Sequence, residues 1–377
     1  MKKYLLFFSC VLFFFSCGRK VEIEVFNNSE VDRDKEMVEI CLCQLKEFNP
    51  SNIVIYNENG KTVPCQILYK GTDEPKALIF PVTLKAGVQS IYTLKEGTPV
   101  KTPAKTNVRF VSERKDDMSW ENDRIGFRMF GPGSANEYLS NGVDVWLKKT
   151  KALVLDKWYK DDIAQKASYH QDHGEGLDCY NLKQSLGAGG ICPYSRDSFW
   201  TAPHFDRYKI LDNGPLRSSF VLFYDAINYG SKKLKAEMRI TLDAGSNLNE
   251  AVVVYKGDTS QIRLAAGVYL HDSVQSLDGD AAKGYIGYGE NVYTQDLARV
   301  SAGRCYTGVV FENEVPAVKI VKGHCVAIFN YKMGQEFKYY FGAGWNNYGF
   351  KNDSDWFQYL SNKRLALTQP LKVKILK

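Results

Sequence analysis

Residues 216–257 read LRSSFVLFYDAINYGSKKLKAEMRITLDAGSNLNEAVVVYKG. Three long strand-like runs, "LRSSFVLFYDAI", "LKAEMRITLDAG" and "LNEAVVVYKG", follow one another here as a meander. The same character extends both ways. Upstream lie "RIGFRMFG", "GVDVWLK" and "LVLDKWY", each read as a strand. Downstream come "QIRLAAGVYL", "KGYIGYG", "YTGVVF", "HCVAIFNY" and "EFKYYFGAGW". So many strands with no helical alternation between them exclude a doubly wound α/β fold and predict a large antiparallel two-sheet sandwich over residues 108–377. One helix is expected, in "DSDWFQYLSNKRLAL" at 353–367. Asp353 or Ser354 is its N-cap, and Trp356, Tyr359, Leu360 and Leu367 share a face.

Residues 18–95 read as a second, smaller unit. "VEIEVF" alternates cleanly, and "MVEICLCQL", "SNIVIY", "PCQILY", "ALIFPVTL" and "SIYTL" follow with turn-forming stretches between them. This is the pattern of a small N-terminal β-sandwich. The Pro-, Thr- and Lys-rich interval 96–107 reads as a linker. The fold class expected is therefore all-β throughout.

The N-terminus "MKKYLLFFSCVLFFFSCGRK" carries a positive start and an apolar stretch too short to span a bilayer well. A small residue before Cys17 at its end resembles a bacterial lipobox. Residues 1–17 then form a lipoprotein signal peptide with its lipidated Cys17, and acyl chains on that residue anchor the protein to a membrane. Gly18-Arg19-Lys20 lacks an acidic pair after the lipidated Cys, which favours the periplasmic side of the outer membrane over the cell exterior.

The chain is 44% hydrophobic and carries a net charge of +6, with no basic run interleaved with aromatics. Nucleic acid is not an expected partner. Cys41 and Cys43 sit two apart in an expected strand, on one face, a poor geometry for a mutual bond.

Chemistry concentrates in "YHQDHGEGLDCY", 169–180, which holds two of the five histidines of the chain. Asp172, Glu175 and Asp178, with His170 and His173, are competent metal ligands, so Ca²⁺ or Zn²⁺ are candidate occupants. The expected chemistry requires no cofactor. "WENDRIGFRMFGPGSANEY" sets Arg124 and Arg128 beside Asp123, Asn136 and Tyr138. On one strand, 124 and 128 share a face and could hold a carboxylate. "SRDSFWTAPHFDRYK" adds Arg196, Trp200, His204 and Arg207, and "YYFGAGWNNYGF" adds Trp345 and Tyr348. Aromatic faces beside cations suit a sugar site. No Walker motif, GxGxxG or G-x-S-x-G is present.

"WENDRIGFRMFGP", "GVDVWLK", "KWY", "YHQDHGEGLDCYNLKQSLGAGG", "GPLRSSF", "LDAGSNLNE" and "YYFGAGWNNYGF" resemble, in order, the blocks of domain-of-unknown-function family 4861. The resemblance runs from about residue 21 to the C-terminus. It implies a β-supersandwich of the galactose mutarotase type and a place in bacterial polysaccharide degradation. The implied activity is that of a carbon–oxygen lyase. Such an oligosaccharide dehydratase removes water from a terminal uronic acid and leaves a 4,5-unsaturated sugar for an unsaturated uronyl hydrolase.

Carried onto this chain, the chemistry asks Arg124, Arg196 or Arg207 to neutralise the substrate carboxylate. It asks His170 or His173 to take the C5 proton, and Tyr169 or Tyr180 to protonate the leaving hydroxyl. Asp172 or Glu175 would orient an imidazole, while Trp200, His204 and Trp345 would bind sugar. Two other classes stay open: a mutarotase-like sugar epimerase, and a non-catalytic glycan-binding lipoprotein.

Overall fold

The computed structural model describes residues 19–134, 142–271, 276–295 and 297–376. Cys17, Asn136 and Tyr138 lie outside the described residues. The chain is all-β with two α-helices among the described residues, as the strand pattern predicts.

The meander forms the spine of an eight-stranded antiparallel sheet. Its order is Arg207–Asn213, Arg217–Tyr229, Lys232–Asp243, Leu248–Gly257, Phe337–Trp345, Ser301–Phe311, Tyr285–Tyr293 and Leu277–Asp280. Two five-stranded sheets pack on one face of it. One runs from Gly176–Leu177 through Asp144–Lys148, Ile125–Met129 and Asp117–Asn122 to Thr106–Val111. The other is built on Ala188–Ser195, Gln261–Tyr269 and His324–Lys332. Trp120, Phe127, Phe220, Ile240, Leu264 and Phe329 come from all three sheets and join in one buried core.

The opposite face of the large sheet carries helix α2, Asp353–Thr368, with Asn352 as its N-cap: the Asn352 side chain accepts the Asp355 N–H. Asn352 rather than Asp353 or Ser354 takes this role, because its backbone is still extended where the helix begins. Trp356 and Leu360 are buried beneath α2, and Tyr359 and Leu367 pack partly against the same cluster. The close approach needs glycine. Gly287 and Gly308 pair across two strands, and a Cβ on either would sit 2.7 Å from Leu360 Cδ1.

A smaller sandwich faces the end of this assembly. One layer is Lys20–Phe26 with Gln89–Glu96, Ile53–Tyr56 and Thr62–Val63; the other is Arg33–Cys41 with Ala77–Leu84 and Gln66–Leu68. Residues 97–105 connect Gln89–Glu96 to Thr106–Val111. The C-terminal strand Lys372–Leu376 leaves the large unit, within which the sequence pattern places it, and pairs antiparallel with Lys20–Phe26.

Two local expectations change. "LVLDKWY" is not a strand: Leu155–Ile163 is a helix, α1, whose Leu155, Trp158 and Tyr159 recur at the helical period and are buried together. Cys41 and Cys43 are joined by a disulfide. The strand ends at Cys41 and the chain turns into a short 3₁₀ segment, Leu42–Gln44, so the shared strand face that opposed the bond does not exist.

Candidate functional site

The stretch 169–180 follows α1 and is pinned to the sheet by its own polar groups. Asp172 Oδ1 accepts the N–H groups of Gly174 and Gly176 at 2.8 and 3.2 Å, and its Oδ2 takes Lys149 Nζ at 2.5 Å. Glu175 binds Lys157 Nζ at 2.7 Å and the Trp158 indole N–H at 3.2 Å. Gly176 has φ +118°, and a Cβ there would lie 2.0 Å from the Leu147 carbonyl oxygen, so only glycine fits. Asp172, Glu175 and Asp178, named as metal ligands from sequence, each face a different cation. Among the described residues, no group of three or more such side chains is placed to hold a metal.

Beneath this turn lies a buried charge cluster. Arg128 Nε and Nη2 donate to Asp144 Oδ2 at 2.9 and 2.5 Å, and Nη2 also reaches Asp178 Oδ2 at 2.9 Å. Arg114 donates to Asp117 Oδ2 at 2.9 Å and to the Tyr169 hydroxyl at 2.7 Å. Three carboxylates against two guanidiniums leave one negative charge in a dry interior. Burial, outweighing the pull of Arg128, raises the Asp144 carboxyl to about 7 and that of Asp178 to about 6.

His170 caps this cluster. It is half-buried, with Nδ1 3.0 Å from the Asp178 carbonyl oxygen and 3.7 Å from Asp178 Oδ2. His173 is exposed, with Nε2 3.1 Å from the Ser168 carbonyl oxygen.

The arginine under the histidine block is thus Arg128. Arg124 belongs to the turn before the strand Ile125–Met129, where its N–H binds the Asn122 side chain. Its side chain lines a different hollow, with Gly349 and Tyr359. The expected common face fails because Arg124 is not in the strand.

Arg207 is exposed and forms a bidentate pair with Asp225, and Arg196 sits at an exposed hairpin tip with φ +49°. His204 Nδ1 lies 2.9 Å from the Phe205 carbonyl oxygen, and the Trp200 indole donates to Ser195 Oγ at 2.9 Å. Trp345 is core: 2% exposed, its indole N–H binding the Ala302 carbonyl. No hydrogen bond or ion pair among the described residues joins His170 or His173 to Arg124, Arg196 or Arg207.

The segment Asp178–Lys183 leads from this cluster to an open polar cleft of about 550 Å³. Cys179, Asn181, Lys183, His271, Glu290, Tyr293 and Arg299 are among its lining. Glu290 is a buried carboxylate on the strand Tyr285–Tyr293, and His271 follows the strand Gln261–Tyr269. His271 Nδ1 lies 2.8 and 2.9 Å from the two Glu290 oxygens, and Nε2 lies 2.5 Å from the Asn181 carbonyl oxygen. Both ring nitrogens face acceptors, so both carry protons and the ring is an imidazolium. Burial opposes that charge, but the bonds to Glu290 and Asn181 hold the His271 pKa above its ordinary value. The Tyr180 ring stands edge-on to His271 at 5.1 Å. Its buried hydroxyl has no hydrogen-bond partner among the described residues.

Among the described lining residues are three cations, Lys183, Arg299 and His271, and a single carboxylate, that of Glu290. Such a cleft favours an anion. Sequence reading passes over His271 and Glu290 because they are nineteen residues apart, one just beyond its strand and the other within another. One signal is present: Glu290 is an isolated carboxylate within the apolar, glycine-rich run "GYIGYGENVY".

A sequence model described as "Domain of unknown function (DUF4861)" matches residues 25–373. "Uncharacterized protein P7" of Formosa agariphila is 27% identical and covers 98% of both chains. Among solved structures, an alpha-mannosidase from Enterococcus faecalis superposes with a TM-score of 0.56 at 10% identity over 95% of this chain. A glycosyl hydrolase family 38 protein from the same organism gives 0.52, also at 10% identity and 95% coverage. The chain spans about half the length of those two structures, 46% and 47%. The likeness is one of fold.

Proposed function

The chain belongs to the DUF4861 family, and from that premise we propose that it is a carbohydrate-active enzyme that takes an acidic sugar into the His271–Glu290 cleft. The observation that carries this reading is the charge of the cleft: Lys183, Arg299 and a doubly protonated His271 around one buried carboxylate. The fold shared with sugar-cleaving proteins supports it.

The reaction proposed is a β-elimination at a terminal uronic acid. Removing the C5 proton places a second charge beside the carboxylate, which is prohibitive unless fixed cations neutralise the first. Lys183 and Arg299 supply that neutralisation. His271, held by Glu290, is the acid that protonates the departing C4 hydroxyl. Tyr293, whose ring lies 5.5 Å from the Arg299 guanidinium carbon, takes the C5 proton as its phenolate at the lip of the cleft. The product is a 4,5-unsaturated sugar, suited to an unsaturated uronyl hydrolase. Lipidation at Cys17 and a periplasm-facing position on the outer membrane belong to the same proposal; loss of acyl labelling in Cys17→Ser tests them.

One observation favours a second reading, glycan binding without turnover: both His271 nitrogens are already engaged by protein acceptors. Incubation with uronic-acid-terminated oligosaccharides separates the two. A rise in ultraviolet absorbance from a new conjugated carboxylate, lost in Lys183→Ala, supports elimination. A flat trace with retained, Lys183-dependent binding supports the binding protein, and failure to bind acidic sugars sinks both. Anomer exchange without absorbance change would instead indicate the epimerase.

A further inference from the structure

On the far side of the strip Asn181–Ser185 lies a second opening, of about 400 Å³, with Gln184, Leu186, Phe199, Thr201, Lys322 and His324 in its lining. The two openings are neighbours. Lys183 lines one and Gln184 the other. The Tyr269 ring stands 4.7 Å from His271 and 4.9 Å from His324, so a single aromatic ring separates their histidines.

Their chemistry differs. His324 Nε2 accepts the Leu186 N–H at 3.1 Å, which leaves its proton on Nδ1 to meet the Lys322 carbonyl at 2.7 Å. That pattern fits only the neutral ring, and burial lowers its pKa further. No described lining residue of this opening is a carboxylate, and Lys322 is an exposed side chain at the rim, 3.4 Å from Ser198 Oγ. Phe199 is half-buried, with its ring backed by His324 at 4.8 Å and Tyr194 at 5.7 Å. A fixed aromatic ring beside an amide and a hydroxyl, Gln184 and Thr201, matches a pyranose, whose C–H face packs on the ring while its hydroxyls bond the polar groups.

We propose that this opening is a second sugar subsite, for an uncharged pyranose next to the acidic residue, so that the ligand crosses the strip Asn181–Ser185 as an oligosaccharide. The proposal rests on the acidic-sugar reading of the first cleft. It adds that recognition extends past the charged residue, through Phe199 and Gln184.

Calorimetric titration of the full chain tests it with two probes. One is methyl glucuronide, which fills the first cleft alone; the other is the disaccharide that carries the same terminal glucuronate linked to one neutral pyranose. The disaccharide should bind about tenfold more tightly or better. Gln184→Ala and Phe199→Ala should erase that advantage and leave the methyl glucuronide affinity unchanged. Gln184 is exposed, so its variant keeps the test sound should Phe199→Ala disturb packing. Equal affinity for both probes, or variants that weaken both probes alike, would overturn the subsite while leaving the acidic cleft intact. Failure of methyl glucuronide to bind the wild type would instead remove the acidic-cleft reading and the subsite with it.

Discussion

At the scale of single residues, the structure divides the histidines by what their nitrogens touch. The rings of half-buried His170 and exposed His173 hydrogen-bond backbone carbonyls, whereas His271 is fixed by a buried carboxylate inside a cationic cleft. Under the proposed elimination, His271→Gln removes the acid and should lower turnover by ~10² or more. His170→Ala and His173→Ala should stay within a few-fold of wild type. Initial rates on one acidic oligosaccharide decide this, and a large loss in His170→Ala with His271→Gln unaffected would move the chemistry to the turn. Arg128 carries a different expectation. Arg128→Met leaves Asp144 and Asp178 buried beside each other without their cation, and breaking such a pair costs about 3–5 kcal/mol. Urea denaturation should show that loss directly.

At the scale of elements, α2 depends on what is missing beneath it. Gly287 and Gly308 leave room for Leu360, and a side chain on either would force the helix outward. Gly308→Val should destabilise the fold by about 1–3 kcal/mol, the usual range for overpacking, read as a lower melting temperature. An unchanged melting curve would mean that the helix adjusts freely.

Elements also mark how far the sequence can be read. The strands are legible because a pleat imposes a period of two whatever lies across the sheet, and α2 because its apolar positions recur every three to four residues. Helix α1 escapes. Its nine residues are too short for the helical period to stand out, and its start is held from a distance: Glu121, paired with Lys148, accepts the N–H groups of Val154 and Leu155. The candidate site is half legible for the same reason. The stretch 169–180 announces itself by composition and does end at the cleft. Its carboxylates, however, serve the turn and the Arg128 cluster, and the pair His271–Glu290 arises only when two separate strands meet.

At the scale of the whole molecule, the buried charges set how stability responds to pH. The folded-state pKa values of Asp144 and Asp178, about 7 and about 6, lie above the ordinary 3.8, so the folded chain holds protons that the unfolded chain releases. Their contribution therefore declines as pH rises from about 4 to about 7, by roughly 1.4 kcal/mol for each tenfold difference in proton affinity between the folded and unfolded chains. His271 acts in the same direction: its pKa is raised, so the stability it adds is complete below its ordinary 6.5 and is lost as pH climbs through the folded value. His324 opposes this, because its lowered pKa makes protonation below 6.5 unfavourable in the folded state. Asp172, Asp278 and Asp353 have lowered pKa values, so their contribution is lost as pH falls through and below 3.8. Burial raises Asp117, Glu121 and Asp212 as well, so five carboxylates and one histidine outweigh one histidine, and the maximum should fall at about pH 5, with a decline toward pH 8. Urea titrations at several pH values should trace this curve. In Asp144→Asn the cluster of Arg114, Arg128, Asp117 and Asp178 balances without a borrowed proton, so the decline above pH 5 should flatten. A wild-type curve that instead climbs steadily to pH 8 would mean that the Arg128 cluster holds both carboxylates ionised throughout, with no shared proton to lose.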